Sequence, residues 1–334
     1  GPVCYGKGGT VPAVTDANLV LGYLNPDAVL GGTINLDREA AIKAVKEHVA
    51  DPLGISVEKA AYGISTIVNL NMVNGIRRVS IERGYDPRDF ALLCAGGAAG
   101  MHITALAEEI GSTTVLVPKV SSVFCAFGQI ISDVRYNYLA SEPMRLDGEA
   151  NLDVLNAKFE GLESQGRDHL ISDGFNRDDI SYTRSVEMRY VGQIHECNVE
   201  IHPGKICREK MAAILDDFHK RHEELYTYSE PHNPVELVNI ESTMVGNVAK
   251  PEFQTLESKG GTAEDALIGY RPALFDAEGH WTDTAVYSGP KLDVGIQIEG
   301  PAVVEEPTTN IVVRPGWQLV LEPNQCYRLT RTSH

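Results

Sequence analysis

Basic residues are the minority charge in this sequence, which has 29 Lys and Arg against 46 Asp and Glu and a net charge of -17 at pH 7. An electrostatic field of that sign repels polyphosphate backbones and anionic membrane surfaces. We therefore expect neither nucleic acid nor a membrane among the partners of this chain.

Cysteine is also sparse, and long apolar runs are absent. The six cysteines include no CxxC pair, and several lie in apolar stretches where a thiol behaves as a small hydrophobic side chain. No apolar run approaches the ~20 residues of a membrane-spanning helix, and no basic and then apolar secretory signal opens the sequence. These features predict reduced cysteines and a cytoplasmic protein.

The sequence does contain enough apolar residues for a large core. Of its 334 residues 43% are apolar, and a prior of roughly 150 residues per domain predicts two domains. Pro143 and the polar stretch LDGEANLD interrupt the apolar periodicity, so we place the boundary between residues 142 and 143. Segment 1–142 has the pattern of an α/β domain. Segment 143–334 holds short alternating runs between Pro and Gly turns, which predicts a β-rich domain with a few helices.

Helical patterns recur along the sequence. We predict helices over Thr15–Leu24, where a Thr-Asp pair is suited to capping, over Asp37–His48, over Val57–Arg83 and over about residues 152–172. The third is the clearest, because its apolar residues recur at three- and four-residue spacing and Gly84 supplies a stop.

A glycine-rich turn joins a predicted strand to a predicted helix. The run FALLCA, residues 90–95, is short and continuously apolar, which predicts a strand buried on both faces of a largely parallel sheet. In the loop CAGGAAGMH that follows, small residues let the backbone approach a nucleotide closely, although a tight packing turn is the competing interpretation. The loop is neither a Walker loop nor a GxGxxG turn, because the glycine spacing and the Lys-Ser/Thr ending are missing.

Four ordered blocks, covering essentially the whole chain, resemble the hydantoinase-A and 5-oxoprolinase family. They are GPVCYGKGGTVPAVTDANLVLGYLNP, IRRVSIERGYDPRDFALLCAGGAAGMHITALAEEIG, VEMRYVGQIHECNVEI and IEGPAVVEEPTTNIVVRPGW. The resemblance implies the second half of an actin- and sugar-kinase-like (ASKHA) ATPase core over residues 1–142, followed by a mainly β hydantoinase-A C-terminal domain. Its adenosine loop maps onto Gly96, Gly97, Ala98, Ala99 and Gly100, with Ala99 where the family usually has a third glycine.

The two phosphate loops of the family, which precede the region seen here, have no counterpart in the sequence. The resemblance therefore implies that the phosphate end of ATP and its Mg2+ are held largely by a partner, because phosphoryl transfer depends on positioning and charge around the phosphates. That partner is a front-half hydantoinase-A-like chain, either a separate polypeptide or a front half cleaved from the same precursor. A hydantoinase-B-like subunit is a further implied member of a heteromeric complex. The chain by itself is not expected to hydrolyse ATP.

Enzymes that resemble this family catalyse one of two kinds of reaction, depending on the branch. The stretches VFCAFGQIISDVRYNY and GYLNPDAVLGG are similar to the acetone and acetophenone carboxylase branch. The leading hypothesis is thus a subunit of an ATP-dependent ketone carboxylase, which phosphorylates bicarbonate and the enolate oxygen of a small carbonyl substrate. The alternative in the same family is ATP-dependent hydrolysis of an amide or lactam, of the hydantoinase or 5-oxoprolinase type. A non-catalytic scaffold is the alternative of another class.

Two side chains are candidate catalytic residues. Asp16 is suited to orienting substrate or a metal-bound water, and its competing role is that of a helix cap. His102 follows the glycine loop and is suited either to hydrogen-bonding nucleotide or substrate or to capping the next helix. The spacing of His219 and His222 superficially resembles a metal site, but their charged neighbours indicate a solvated helical face, and we predict no metal site.

Overall fold

A computed structural model describes the chain at residues 1–27, 29–30, 34–146, 150–252 and 254–332, with the backbone alone at 29–30. The stretches GYLNPDAVLGG and LDGEANLD, used above for the carboxylase resemblance and the domain boundary, lie partly outside these residues. The helices are α1 Val14–Val20, α2 Arg38–Val45, α3 Asp51–Leu53, α4 Val57–Val79, α5 Ile103–Ile110, α6 Phe124–Ile131, α7 Leu152–Ser172, α8 Arg208–Tyr226 and α9 Ala263–Ala266.

The strands alternate with these helices in the first part of the chain and dominate its last part. They are β1 Val29–Leu30, β2 Ile34–Asn35, β3 Leu92–Leu93, β4 Thr114–Pro118, β5 Val134–Arg145, β6 Ile180–Tyr190, β7 Cys197–Ile201, β8 Val235–Gly246, β9 Leu267–Leu274, β10 Trp281–Ser288, β11 Gln297–Glu299, β12 Ala302–Glu306, β13 Thr309–Val313, β14 Trp317–Leu321 and β15 Cys326–Arg331.

The predicted helices are present, with changes at their ends. α4 begins after Ser56, whose hydroxyl accepts a hydrogen bond from the Lys59 amide, and Gly84 closes the following turn with a φ of 83°. α1 is shorter than predicted, because the chain turns at Gly22 with a φ of 80°. Among the described residues, no helix is long and apolar enough to cross a lipid bilayer.

The chain divides into two compact units, one made of Gly1–Gln129 with Glu252–His334 and the other of Ile130–Pro251. This division differs from the boundary predicted at residues 142 and 143, which lies within β5. The reason is long-range pairing: β15 runs antiparallel to β4, from Cys326 opposite Pro118 to Thr330 opposite Thr114. The β-rich second half of the sequence is therefore shared between the two units.

In the first unit a five-stranded sheet has the order β11-β14-β15-β4-β3. β3 and β4 are its parallel pair, and its other described neighbours are antiparallel. β3 lies at the edge, and Leu93 is 51% exposed. The predicted strand exists, but the expectation of a largely parallel sheet burying both of its faces is wrong, because an apolar run does not determine which strands pair beside it.

Two apolar cores support the first unit. One packs α5 against the five-stranded sheet, with Leu106 beside the fully buried Trp317 and Tyr327. The other packs α1 and α4 with the four-stranded sheet of order β13-β12-β10-β9. The Thr104 hydroxyl also donates to the Val312 carbonyl at 3.1 Å, so β13 is fixed beside α5.

The second unit is an antiparallel sheet of order β5-β8-β6-β7, on which α7 and α8 pack. Phe159 of α7 and Phe218 of α8 are fully buried in its core. The guanidinium of Arg184 donates to the carboxylate of Glu163 at 2.5 Å, and both side chains are less than a tenth exposed. This unit is thus built from one continuous segment of the sequence.

Candidate functional site

Three loops meet at one edge of the five-stranded sheet of the first unit. Because β3 and β4 are parallel, the loop at 95–100 and the turn at 119–123 both leave from their carboxyl ends. The Gly96 amide donates to the Ser121 carbonyl at 2.7 Å and joins these two segments. The turn between β12 and β13 supplies the third. Ligands of open α/β sheets bind in crevices outside the carboxyl ends of the strands.

The glycines of the loop meet different steric requirements. Gly96 has a φ of 116°, a backbone conformation that residues with a Cβ rarely adopt. A Cβ on the buried Gly100 would lie 2.4 Å from the carbonyl oxygen of Asn310. Ala98, in contrast, is exposed. Packing therefore accounts for Gly100, whereas Ala98 is accessible to a ligand.

The first residue of β13 also holds this loop, although it lies 212 residues further along the chain. The hydroxyl of Thr309, which is 5% exposed, donates to the Gly97 carbonyl at 2.7 Å. Beside it the Ser122 hydroxyl donates to the Thr308 hydroxyl at 2.7 Å. Sequence reasoning missed these residues. The one signal for Thr308 and Thr309 was the segment EEPTTN inside a resembling block, and no local pattern specifies which residues it contacts.

His102 lies directly after the loop and is 5% exposed. Its Nδ1 donates to the side-chain oxygen of Asn69 at 2.8 Å, and its Nε2 accepts from the side-chain nitrogen of Asn18 at 3.0 Å. Burial lowers the pKa of His102, so the neutral ring is favoured. Both ring nitrogens are occupied by these amides, and the histidine fixes the start of α5 relative to α1 and α4.

Asp16 is fully buried at the start of α1. Its carboxylate accepts hydrogen bonds from the backbone amides of Val3 at 3.1 Å, Cys4 at 2.7 Å and Ala13 at 2.7 Å. These bonds join the opening segment to α1 and match the capping interpretation. Burial and the Asp16 carboxylate also raise the pKa of the Cys4 thiol to about 12, which leaves this cysteine unreactive.

A small polar cavity of about 70 Å³ lies beside His102, lined in part by Tyr62, Asn69, Glu108 and Arg314. The guanidinium of Arg314 donates to the Glu108 carboxylate at 3.1 Å. The space suits a few water molecules and is too small for a nucleotide. Sequence reasoning missed this cavity as well, because its lining comes from α4, α5 and the turn after β13.

His219 and His222 of the second unit have protein partners. The Tyr190 hydroxyl, which accepts from the Glu230 amide, donates to His219 Nδ1 at 2.7 Å, and His222 Nδ1 donates to a backbone carbonyl at 2.8 Å. Among the described residues, the one group of three potential metal ligands within reach of one another is in the surface turn between β9 and β10. It consists of Asp276, Glu278 and His280.

Two family models match the chain. The model described as Hydantoinase/oxoprolinase matches residues 1–138, and that described as Hydantoinase/oxoprolinase C-terminal domain matches residues 145–332. The first match ends at residue 138 and the second begins at residue 145, so residue 142 lies between them. The compact units, in contrast, divide the chain after Gln129 and before Glu252. The family boundary follows the order of sequence blocks, and the packing boundary follows the pairing of strands.

Curated relatives include subunits of both a lactam hydrolase and ketone carboxylases. The chain is 55% identical over 332 residues to the caprolactamase subunit alpha of Pseudomonas jessenii. It is 34% identical over 337 residues to the acetophenone carboxylase gamma subunit of Aromatoleum aromaticum and 30% identical over 342 residues to the acetone carboxylase beta subunit of Xanthobacter autotrophicus. These matches cover 99%, 96% and 98% of the chain, which spans about half the length of the relatives, 48%, 45% and 47%.

Two solved structures have the same fold over this region. The crystal structure of the ATP-dependent caprolactamase from Pseudomonas jessenii matches with a TM-score of 0.83 and 54% identity, covering 100% of this chain and 48% of that one. The nucleotide-free structure of acetone carboxylase matches with a TM-score of 0.84 and 27% identity, covering 99% and 48%. Both structures are of ATP-dependent enzymes.

Proposed function

The chain belongs to the hydantoinase/oxoprolinase family, and on that premise we propose that it forms the adenosine side of the ATP site in an ATP-dependent cyclic amide hydrolase. One observation carries the choice of reaction. The chain is 55% identical to a caprolactamase subunit over nearly its full length, against 34% and 30% for the two carboxylase subunits. The preference for a carboxylase drawn from two short stretches is therefore reversed here.

The meeting point of the three loops suits the adenosine end of ATP. It lies at the carboxyl edge of the parallel pair β3 and β4, and the backbone from Gly96 to Ala98 carries no side chain larger than a methyl group. A flat purine can approach such a backbone closely. We assign this part of the first unit to the second half of an ASKHA-type ATPase core, with the adenosine loop at Gly96, Gly97, Ala98, Ala99 and Gly100.

The phosphate end and its Mg2+ are assigned to the rest of the enzyme, including a front-half hydantoinase-A-like region and a hydantoinase-B-like subunit. Bound ATP supplies a phosphoryl group that activates the carbonyl of a cyclic amide toward water. The residues of this chain bind and orient. His102 and Asp16 are positioning residues in this proposal, since His102 sets α5 against α1 and Asp16 sets the opening segment against α1.

Ketone carboxylation is the second candidate. The acetone carboxylase structure matches the fold as well as the caprolactamase structure does, with TM-scores of 0.84 and 0.83. The backbone of this chain is thus equally similar to a structure from each enzyme class, and only the sequence identity favours the hydrolase over the carboxylase.

The test uses the intact enzyme that contains this chain. It is supplied with ATP and, in separate assays, with caprolactam, 5-oxoproline and hydantoin, or with acetone and acetophenone plus labelled bicarbonate. We expect ATP-dependent ring opening of at least one cyclic amide and no label in the ketone products. Label fixed into a ketone product, with every cyclic amide unchanged, would reject the hydrolase proposal in favour of carboxylation.

A further inference from the structure

A pair of hydroxyl groups lies close to Gly97 where the three loops meet. The Ser122 hydroxyl donates to that of Thr308 at 2.7 Å. A Cβ on Gly97 would lie 3.1 Å from the Thr308 carbonyl oxygen and 3.6 Å from the Ser122 Cβ, so both residues lie against the face of Gly97 from which a side chain would project. Thr308 is exposed and Ser122 is half-buried, so both hydroxyls are within reach of a ligand.

We propose that the Ser122–Thr308 hydroxyl pair recognises the amino edge of the adenine base. This rests on the proposed function, in which the adenosine end of ATP binds where the three loops meet, and it names two binding residues outside the glycine loop. When Ser122 donates to Thr308, the Thr308 proton is available to a ring nitrogen, and the Ser122 oxygen retains a lone pair for an amino group. Adenine presents that combination on one edge, where the ring nitrogen N7 accepts and the neighbouring N6 amino group donates.

The pair is not needed to hold the loop in place. Two other hydrogen bonds do so, from the Gly96 amide to the Ser121 carbonyl and from the buried Thr309 hydroxyl to the Gly97 carbonyl. A hydroxyl–hydroxyl bond at an exposed position adds little to stability, because water replaces it readily. Its position at the carboxyl edge of the two parallel strands is where a ligand is expected.

The pair also predicts discrimination between purines. On the same edge a 6-oxo purine such as hypoxanthine presents two acceptors, N7 and O6. The hydroxyl pair has one proton left after its mutual hydrogen bond, so in either direction of that bond one of the two acceptors remains without a donor. Loss of one such hydrogen bond is expected to weaken binding about fivefold to tenfold.

The experiment measures the affinity of the intact enzyme for ATP, ITP and 2'-deoxy-ATP in the wild type, in Ser122→Ala and Thr308→Val, and in the double variant. Thr255→Val, an exposed threonine elsewhere in the first unit, is the matched control. We expect the wild type and the control to prefer ATP over ITP by about fivefold to tenfold, and the double variant to lose that preference while 2'-deoxy-ATP remains equivalent to ATP.

Three results separate the possible failures. Undiminished preference for ATP in the double variant would overturn the assignment of the hydroxyl pair and leave the adenosine loop standing. Loss of affinity for ATP relative to 2'-deoxy-ATP would move the pair from the base to the ribose and would also overturn the assignment. Absence of any ATP binding by the wild-type enzyme would contradict the proposed function itself.

Discussion

The two units of this chain are built in opposite ways. The second unit folds from one continuous segment, Ile130–Pro251, and its core lies between one antiparallel sheet and two helices. The first unit joins segments from both ends of the chain, and its candidate site lies where they meet, with Gly97 beside Thr308 and Thr309. Stability in the second unit depends on contacts within its buried core, whereas in the first unit contacts between distant segments also position the loop of residues 96–100.

The largest expected effect comes from a substitution in the buried core of the second unit. Glu163→Gln leaves the buried Arg184 guanidinium without its carboxylate, and we expect it to cost about 3–5 kcal/mol of unfolding free energy. Urea unfolding of the intact enzyme measures the change, and Asp217→Asn in the exposed pair with Lys220 is the control, with no measurable loss expected. Under conditions where Glu163→Gln remains folded, unchanged affinity for an ATP analogue would show that ATP binding in the first unit does not depend on the core of the second. Reduced affinity would contradict this independence.

A smaller effect is expected from crowding the loop of the first unit. Gly100→Ala places a methyl group 2.4 Å from the Asn310 carbonyl oxygen, where the backbone must move, at a cost of about 1–3 kcal/mol. Gly161→Ala in α7 is the matched control, because a Cβ there meets no atom within 4 Å, and it should leave stability unchanged or slightly raised. Thermal unfolding of both variants checks this pair, and equal Tm values would show that the loop is not closely packed.

Removing one hydroxyl tests the connection between the two ends of the chain. Thr309→Val keeps the side-chain shape and removes the donor to the Gly97 carbonyl, which should cost about 1–2 kcal/mol and weaken binding of an ATP analogue severalfold. Thr309→Ser retains the donor and should restore most of the affinity. Isothermal titration on the intact enzyme provides the readout. A valine variant that binds as well as the wild type would mean that this hydrogen bond does not position the loop.

The smallest effect concerns the pH dependence of the buried histidine. Burial lowers the pKa of His102, so the unfolded chain binds more protons than the folded chain as the pH falls below the ordinary histidine value near 6.5. Stability contributed by this site is therefore present at neutral pH and declines on acidification. His102→Gln should make the Tm of the first unit fall less between pH 7 and pH 5. His219→Gln in the second unit, where burial also lowers the histidine pKa, is the comparison; parallel pH profiles for the wild type and His102→Gln would contradict the assignment.

The same contrast explains what the sequence could predict. Local patterns located α4 and α7, together with the stop at Gly84, because spacing and capping depend on neighbouring residues. They did not predict that β15 pairs with β4, so the predicted boundary differs from the division into compact units. Strand pairing between residues far apart in sequence depends on packing that no local period encodes.

The candidate site was predictable to the same degree. The glycine loop and His102 were found from the strand-loop-helix pattern, and the capping role of Asp16 was one of the two weighed alternatives. The hydroxyls of Ser122 and Thr309 were not found, because each acquires its meaning from a partner outside its own segment. Periodicity and motif spacing therefore could not predict the part of the site that tertiary contacts contribute.

The most direct test of the account is hydrogen exchange at the loop of residues 96–100 in the intact enzyme, with and without a non-hydrolysable ATP analogue. We predict slower exchange of the amides in this loop on adding the analogue, with no change in β6 of the second unit, Ile180–Tyr190. Unchanged exchange of the loop in an enzyme that demonstrably binds the analogue would contradict its assignment as the adenosine side of the site and would favour a scaffold role for this chain.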